Sequence, residues 1–424
     1  MSNKAGVKKV KGAETAGLVP RLRFPEFRNA GEWEVKPIGS VAELKNGYAF
    51  KSTEYAASGQ FRIVTISNVQ NGLLVTDQIK LVTQLPLDIQ AHQLLERGDT
   101  LISMTGNVGR VCRVNKESCL LNQRVGKLIP LRIEPSYFYY VLLNDRFRKA
   151  MQKRAAGGAQ GNLSAPDILS YVLQAPVSLK EQQKIADCLS SLDEVITLES
   201  KKLDALKVHK KGLMQQLFPA EGETVPRLRF PEFRGAGEWE QSPLCVVAIF
   251  AKNKTPIDGI SLSEYVSTEN ILPGYGGLTK AIKTPVLGSA TRFIEGDILV
   301  SNIRPYLRKV WFSDRVGAAS NDVLVIRARP TINKEYLSFI LKNDAFIQYV
   351  TKGAKGLKMP RGDLSLIREY QVPHPSTKEQ KAIADCLFSL DEVITLESQK
   401  LEALKVHKKG LIQQLFPSAE DLEN

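Results

Sequence analysis

The segment "LKEQQKIADCLSSLDEVITLESKKLDALKVHKKGLMQQLFP" at residues 179–219 decides the fold, because the chain carries it twice. It returns at residues 377–417 as "TKEQKAIADCLFSLDEVITLESQKLEALKVHKKGLIQQLFP", with 34 of 41 positions identical. A shorter block, "VPRLRFPEFRNAGEWE" at residues 19–34, returns as "VPRLRFPEFRGAGEWE" at residues 225–240. Between these constant blocks lie two stretches, residues 35–178 and 241–376, that resemble each other only weakly. The repeats therefore predict a chain built as two copies of one plan.

Each long repeat has the spacing of a heptad seam, with steps that alternate between four and three residues. Eight of the ten seam positions are apolar in both copies. The first seam comprises Ile185, Leu189, Leu192, Ile196, Glu199, Leu203, Leu206, Lys210, Leu213 and Leu217; the second comprises Ile383, Leu387, Leu390, Ile394, Glu397, Leu401, Leu404, Lys408, Leu411 and Leu415. A helix of roughly 33 residues, about 50 Å long at 1.5 Å per residue, is too long to bury within one small domain. We expect the two helices to pair with each other.

The two polar seam positions indicate the direction of the pair. In an antiparallel pair Glu199 faces Lys408 and Glu397 faces Lys210, whereas a parallel pair places like charges side by side. We therefore predict an antiparallel, pseudo-twofold arrangement in which these four residues meet. The alternative is that they mark solvent-facing interruptions in two unrelated helices.

Composition favours a polyanionic partner. The 424 residues include 58 Lys and Arg against 45 Asp and Glu, which gives a net charge of +13 and favours nucleic acid through long-range attraction and counterion release. A basic but inert surface is the alternative.

The first eighteen residues form a basic tail without the apolar core of a secretory signal. Without an apolar run of about 18 residues, no membrane span is expected. The five cysteines, Cys112, Cys119, Cys188, Cys245 and Cys386, have no CxxC spacing; we expect no metal site and a cytoplasmic protein.

Motifs for catalysis are missing from the sequence. It has no GxxxxGK[ST] phosphate loop and no GxGxxG. No two of its 21 prolines are adjacent, which excludes the [DNS]PP[YFW] motif of amino-methyltransferases. Of the four histidines, His209 and His407 lie on the helices among lysines, and only His92 and His374 remain as unfavoured catalytic candidates. We expect a protein without catalytic residues.

Both variable stretches carry side chains suited to bases and phosphates. Arginine can contact guanine in a bidentate way, Asn and Gln can do so with adenine, and glycine lets the backbone approach phosphate closely. The candidates in the first stretch are Asn107, Arg110, Asn122, Gln123, Arg124, Gln160 and Asn162; those in the second are Asn302, Arg304, Arg308, Asn321, Lys355, Lys358 and Arg361. Their recurrence at matching places favours a DNA-binding role for each group.

The Tyr- and Phe-rich segments "YFYYVLLNDRFRKAMQKR" and "KEYLSFILKNDAFIQYV" are interpreted as helices that supply core.

The order of these features resembles the specificity subunit of type I restriction-modification enzymes over essentially the whole chain. The resemblance is carried by the twin helices, their "KEQQKIADCL" and "KEQKAIADCL" starts, the "WE" pairs at Trp33 and Trp239, and "AQGNLSAPDIL" before the first helix. It implies two similar mixed α/β target-recognition domains that read the two halves of a split sequence in double-stranded DNA, with the helices fixing the unread spacer. The fold class is α+β.

The implied boundaries are a tail (1–18), target-recognition domain 1 (19–178), helix 1 (179–219), a linker with target-recognition domain 2 (220–376), helix 2 (377–417) and a tail (418–424).

The resemblance assigns catalysis to partner chains. Two modification (methyltransferase) subunits bind the helical region and use S-adenosylmethionine, and restriction or motor subunits use ATP and magnesium, so this chain needs no cofactor. The competing hypotheses are a non-catalytic helical scaffold without sequence-specific DNA binding and a nuclease with an unrecognised site.

Overall fold

A computed structural model describes residues 19–157, 161–354, 356 and 359–417. Gln160, Lys355, Lys358 and both predicted tails lie outside the described residues. The chain divides into two compact units, unit 1 with residues Met1–Glu199 and Lys400–Asn424, and unit 2 with residues Ser200–Gln399. Each unit therefore combines one recognition domain with the first part of one long helix and the last part of the other.

Unit 1 is built on two four-stranded sheets. Its strands are β1 (Glu34–Pro37), β2 (Ala42–Asn46), β3 (Phe61–Val64), β4 (Val69–Gln70), β5 (Leu73–Leu74), β6 (Lys80–Val82), β7 (Leu94–Leu95), β8 (Thr100–Ser103), β9 (Val111–Arg113), β10 (Cys119–Leu121), β11 (Val125–Pro130) and β12 (Val172–Ala175). Its shorter helices are α1 (Ile38–Val41), α2 (Pro135–Leu143), α3 (Asp145–Ala156) and α4 (Ala165–Leu169). The sheet orders are β6-β3-β10-β7 and β2-β11-β8-β9, and β1 pairs with β12 where the domain begins and ends.

Unit 2 repeats this plan. Its strands are β13 (Glu240–Pro243), β14 (Ala248–Phe250), β15 (Lys254–Pro256), β16 (Tyr265–Val266), β17 (Ser289–Phe293), β18 (Ile298–Ser301), β19 (Val310–Phe312), β20 (Gly317–Ala319), β21 (Val323–Ala328) and β22 (Gln371–His374). Its shorter helices are α6 (Leu244–Val247), α7 (Lys334–Leu341), α8 (Asp344–Lys352) and α9 (Leu364–Arg368). The sheet orders are β14-β21-β18-β19 and β15-β17-β20-β16, with β13 paired to β22. The expectation of two similar mixed domains is confirmed.

The aromatic-rich segments form core, as predicted, but each is two helices instead of one. The Asn144 side chain accepts a hydrogen bond from Arg146 N and starts α3, and the Asn343 side chain accepts one from Ala345 N and starts α8. An asparagine that caps the following turn in this way breaks the preceding helix. Tyr137 and Tyr336 are fully buried. We therefore assign these rings to the core and not to base stacking.

The long repeats form the helices α5 (Leu179–Leu217) and α10 (Thr377–Leu415). All ten seam positions of each helix are buried or half-buried, as the heptad pattern predicts. Within unit 1, Glu199 pairs with Lys400 and Asp193 with Lys408, each at 2.5 Å. Within unit 2, Glu397 pairs with Lys202 and Asp391 with Lys210. Residue numbers rise along one helix as they fall along the other, so the antiparallel direction is confirmed.

The register of the pair differs from the predicted one by about one heptad. Glu199 does not meet Lys408, and Glu397 does not meet Lys210; each finds another partner. A heptad seam looks alike after a shift of seven residues, so the pattern alone does not fix the register. The observed register also places the Lys408 ammonium 5.4 Å from the centre of the Tyr140 ring and that of Lys210 5.2 Å from the Phe339 ring. Those contacts involve the recognition domains, which the helical pattern does not contain.

The constant blocks clamp each helix start to its domain. The Arg23 guanidinium makes two hydrogen bonds of 2.7 Å to Glu181, and Arg229 makes the same two to Glu379. All four side chains are less than 10% exposed. The glutamates belong to the repeated "KEQ" at the helix starts, so this motif has a structural role. In unit 1 the clamp also includes a 3.3 Å hydrogen bond from Trp33 Nε1 to Glu181.

Candidate nucleic-acid interface

In unit 1 the predicted DNA-binding residues lie on three segments that meet at one end of the β2-β11-β8-β9 sheet. We call residues 104–110, 122–124 and 161–163 the reading end of unit 1. Met104 N donates to Arg124 O at 3.1 Å, and Leu163 N donates to Met104 O at 2.8 Å. These backbone hydrogen bonds tie together residues that are distant in the sequence. The described candidates of the first domain therefore form one group.

Unit 2 has the same framework at the equivalent end of its sheet. We call residues 302–309, 320–322 and 360–362 the reading end of unit 2. Asn302 N donates to Asp322 O at 2.9 Å, and Gly362 N donates to Asn302 O at 3.1 Å. Both bonds join positions equivalent to the bonded positions of unit 1. The backbone is thus shared between the reading ends while their side chains differ.

The candidates of unit 1 differ in how freely they are presented. Asn107, Gln123, Arg124 and Asn162 are exposed. Arg110 is half-buried, and its guanidinium donates to the Gln70 side chain.

Asn122 has a local structural role at the same end. It is only 8% exposed, and its Oδ1 accepts a 3.3 Å hydrogen bond from Arg124 N. The structure therefore places this amide inside the turn that presents its two neighbours, Gln123 and Arg124.

Unit 2 presents arginines on a tight turn. Arg304 and Arg308 are exposed and flank a single 3-10 turn, Pro305–Leu307, with φ of 51° and 55°. The equivalent turn of unit 1 places Gly106 and Gly109 in the same left-handed region. This conformation costs a non-glycine residue about 1–2 kcal/mol. An arginine kept there despite the cost points to a functional side chain.

Several candidates of unit 2 have partners within the unit. Arg308 pairs with Asp344 at 3.0 Å, and Arg361 pairs with Asp322 at 2.9 Å. Asn321 is exposed, and its Oδ1 accepts a hydrogen bond from Lys254 Nζ. These ion pairs are partly exposed and hold the arginines in position while leaving N–H groups for a ligand.

Asn302 and Lys309 lie beside the unit 2 turn and are less exposed than its two arginines. Asn302 is half-buried, and its Oδ1 has no hydrogen-bond partner in the described part of the chain. Lys309 Nζ donates to Thr268 O at 2.6 Å, and burial lowers the pKa of this lysine.

Tyr306 is the residue that the sequence interpretation missed. Its side chain is 52% exposed at the tip of the turn between Arg304 and Arg308. The signal was present as the run "RPYLR", in which proline favours a turn that begins at the preceding arginine. An exposed aromatic ring between two arginines is suited to contact with DNA.

The other chemistry considered from the sequence is placed as follows. His92 is half-buried with its Nε2 3.0 Å from Asn46 O, and His374 Nε2 lies 3.0 Å from Ser242 Oγ. Within the described ranges, no group of three or more His, Cys, Asp or Glu side chains is arranged to hold a metal ion. The helices described contain no span apolar enough to cross a membrane.

Comparison with known proteins identifies the family. The family model described as the type I restriction modification DNA specificity domain matches residues 30–208 and 239–406. The chain belongs to this family. Each match begins in one recognition domain and ends within the following long helix. As a type I specificity subunit the chain has two such domains, which fit the two halves of a divided DNA site.

Specificity subunits are also among its relatives. The putative type I restriction enzyme MjaX specificity subunit of Methanocaldococcus jannaschii is 24% identical over 415 residues, which cover 91% of this chain and 93% of that one. The MjaVIII specificity subunit of the same organism is 25% identical over 194 residues, so the match spans 45% of that protein and 44% of this chain.

A solved structure shares the fold. The type I restriction-modification S subunit from M. genitalium has a TM-score of 0.58 at 17% identity, covering 95% of this chain and all of that one. This likeness concerns the fold alone.

Proposed function

We propose that each unit of this specificity subunit reads one half of a split DNA sequence and that the helix pair sets the length of the unread spacer. The observation that carries the proposal is the shared backbone of the two reading ends, which present different side chains. A common framework with different hydrogen-bonding groups is what two unlike half-sites require. Exposed Gln123 and Arg124 in unit 1, and Arg304 and Tyr306 in unit 2, are the proposed contacts.

Exchange of one domain tests the modular reading. Residues 35–178 are replaced by the equivalent domain of another specificity subunit, and methylated sites are mapped across the host genome by single-molecule sequencing. We expect one half-site to change while the other half-site and the spacer stay the same. A change in both half-sites contradicts one-domain, one-half-site reading. If the parent complex binds random duplexes without preference in a gel shift, the helical scaffold hypothesis is favoured instead.

Insertion into the helix pair tests the spacer. The ion pairs place Ser200 opposite Gln399, so seven residues inserted after each keep the heptad phase and lengthen both helices by about 10 Å. We expect the spacer to grow by about three base pairs, since a base pair rises about 3.4 Å. A four-residue insertion at the same points is the control, because it breaks the seam. An unchanged spacer in a folded seven-residue variant rules out the helix pair as the ruler.

Catalysis is assigned to partner chains. Modification subunits with S-adenosylmethionine and motor subunits with ATP and magnesium are proposed to act in the cytoplasm on DNA that this non-catalytic chain selects. Support comes from apolar side chains left exposed on both helices at matching positions. They are Val195, Leu198 and Val208 on α5, and Val393, Leu396 and Val406 on α10, with exposed fractions between 42% and 72%. Such side chains suit packing against further helices.

Charge substitution at these positions tests the partner surface. We expect Leu198→Glu with Leu396→Glu to abolish copurification with the modification subunits without changing thermal stability. The control carries Lys201→Glu and Gln399→Glu, which are exposed positions on the same helices. Retained copurification of the leucine variant contradicts the assignment.

A further inference from the structure

Unit 2 contains a basic groove that the reading end does not include. The groove has a volume of about 380 Å³ and lies between β14, the end of β21 and α9. We call it the arginine groove. Its cationic side chains are Lys252, Arg292, Arg327, Arg329 and Arg368.

Most of these cations have no acidic partner in the part of the chain that the structure describes. Arg327 is engaged, because its guanidinium makes two 2.7 Å hydrogen bonds to the buried Asp297. Among the described residues, no carboxylate forms an ion pair with Lys252, Arg292, Arg329 or Arg368. The Arg368 guanidinium lies 5.4 Å from the centre of the Phe250 ring, and its Nε is buried without a hydrogen-bond partner. A buried donor without an acceptor is unfavourable, and an anionic ligand can supply the acceptor.

The cations of the arginine groove have neutral counterparts among the described residues of unit 1, although the backbone is equivalent. The registers of the paired strands align Arg327 with Ile129 and Arg292 with Leu94. In the same alignment the counterparts of the other three cations are neutral. Lys252, Arg329 and Arg368 correspond to Asn46, Leu131 and Leu169. The groove is therefore a property of the second unit and not of the shared framework.

We infer that the arginine groove binds the phosphodiester backbone of DNA next to the half-site read by unit 2. Guanidinium groups match phosphate oxygens in charge and geometry. The groove lies on the same sheet as the reading end, since β21 starts beside Asp322 and ends next to Arg329. The seven residue steps from Asp322 to Arg329 span about 23 Å, less than one 34 Å turn of duplex, so one DNA molecule can contact both. The inference rests on the proposed function of unit 2.

The test replaces three of the five groove cations by their unit 1 counterpart, which is leucine at each position. The variant carries Arg292→Leu, Arg329→Leu and Arg368→Leu in the full chain assembled with its modification subunits. Arg327 is kept because Asp297 depends on it. We expect affinity to fall about 10–100-fold at low salt on specific and random duplexes alike, and the slope of log affinity against log salt to decrease by about 0.9 for each lost phosphate contact. The methylated sequence stays the same.

A control with the same loss of charge separates the groove from net charge. It carries Arg28→Leu, Arg132→Leu and Arg234→Leu, three exposed arginines elsewhere. If the groove variant and the control variant lose the same DNA affinity, the inference is overturned, because net positive charge alone then explains the loss. A groove variant made with glutamine replaces the leucine form if that form aggregates.

Four further outcomes are distinguishable. A parent complex with no sequence preference defeats the proposed function itself, whereas a selective parent whose salt slope equals that of the variant defeats only the groove. A changed methylation sequence means that the groove contacts bases. If DNA affinity is unaltered but the modification subunits no longer bind the variant, the arginine groove binds an acidic protein. The last two results also overturn the inference.

Alkylation provides an independent measurement. Cys245 is half-buried in the lining of the arginine groove. We expect duplex DNA to protect Cys245 from iodoacetamide, with Cys188 and Cys386 on the helices as internal references. Equal reactivity of Cys245 with and without DNA overturns the inference.

Discussion

Unit 1 and unit 2 have the same internal clamp but carry different side chains at their reading ends. The Arg23 and Glu181 clamp of unit 1 has the same two 2.7 Å hydrogen bonds as the Arg229 and Glu379 clamp of unit 2. At the reading ends, by contrast, Gly106 in one unit corresponds to Arg304 in the other. The comparison shows that the arginine–glutamate clamps are the same in both units while the side chains of the reading ends differ.

One contact between a recognition domain and its long helix also differs between the units, and both of its side chains have changed. In unit 1 the Tyr140 hydroxyl donates to Asp193 at 2.8 Å and lies 3.2 Å from Ser190 Oγ. In unit 2 the equivalent pair is Phe339 and Phe388, whose ring centres are 5.0 Å apart. Two hydroxyl groups therefore meet in unit 1 where two phenyl rings meet in unit 2. Packing therefore constrains the pair of side chains more than either one alone.

The largest effect is expected from the clamps. Glu181→Gln and Glu379→Gln each leave a buried guanidinium without its charge partner, which typically costs about 3–5 kcal/mol. Hydrogen exchange followed by mass spectrometry reports the loss in each unit separately. The exposed substitution Glu232→Gln serves as control. Destabilisation by one substitution and not by the other would break the equivalence of the units.

The next effect concerns the strained turn of unit 2. Arg304→Gly copies Gly106, so we expect stability to rise by about 1–2 kcal/mol as the left-handed strain is relieved. DNA affinity should fall by about 1–3 kcal/mol through loss of the guanidinium. Thermal unfolding and fluorescence anisotropy on the mapped site measure the two changes.

The reverse substitution is the matched control for that turn. Gly106→Arg in unit 1 should lower stability without improving the binding of unit 1 to its half-site. Unchanged DNA affinity in Arg304→Gly would remove Arg304 from the contact set.

A third difference is pH-dependent. Burial lowers the pKa of Lys342 to about 8, whereas unit 1 has Leu143 at this position. Between about pH 8 and the ordinary lysine pKa near 10.4, the unfolded chain binds more protons than the native chain, so stability rises with pH in that window.

Lys342→Leu tests this difference. It should stabilise unit 2 by about 1–2 kcal/mol at pH 7 and remove that rise. Exchange rates of unit 2 amides at pH 7 and pH 10, compared with those of unit 1, check both statements. A parent and variant with the same pH dependence would assign the rise to other groups.

The smallest effect tests the concerted packing. Phe388→Ser and Phe339→Tyr rebuild the unit 1 pair in unit 2, where Asp391 is the counterpart of Asp193. The double variant should be about 1 kcal/mol more stable than the sum of the single effects predicts. Urea unfolding of the four chains measures the coupling. Additive effects would mean that the two positions diverged independently.

Much of the helical architecture is predictable from the sequence because it depends on local periodicity. The seam positions, from Ile185 to Leu217, follow directly from spacing, and the polar positions Glu199 and Lys408 indicate direction. Register does not follow, because it depends on side chains of the recognition domains such as Tyr140. A pattern that repeats every seven residues cannot distinguish one heptad from the next.

The candidate site is predictable as a group but not residue by residue. Hydrogen-bonding side chains at recurring places identify both reading ends. The burial of Asn122 and the ion pair of Arg361 with Asp322 depend on how separate loops meet. The arginine groove was missed for the same reason, since Lys252 and Arg368 are distant in sequence and become neighbours only through the sheet.

The composition of unit 1 has a consequence for the order of folding during synthesis. Phe416 completes its core, with its ring centre 5.5 Å from that of Tyr137 and 6.4 Å from that of Trp33. Unit 2 is continuous over Ser200–Gln399, and its 200 residues leave the ribosome before Lys400 does. At about 5–20 residues per second this takes about 10–40 s. The amino-terminal domain thus finishes folding last and, until then, exposes an aromatic surface to which nascent-chain chaperones can bind.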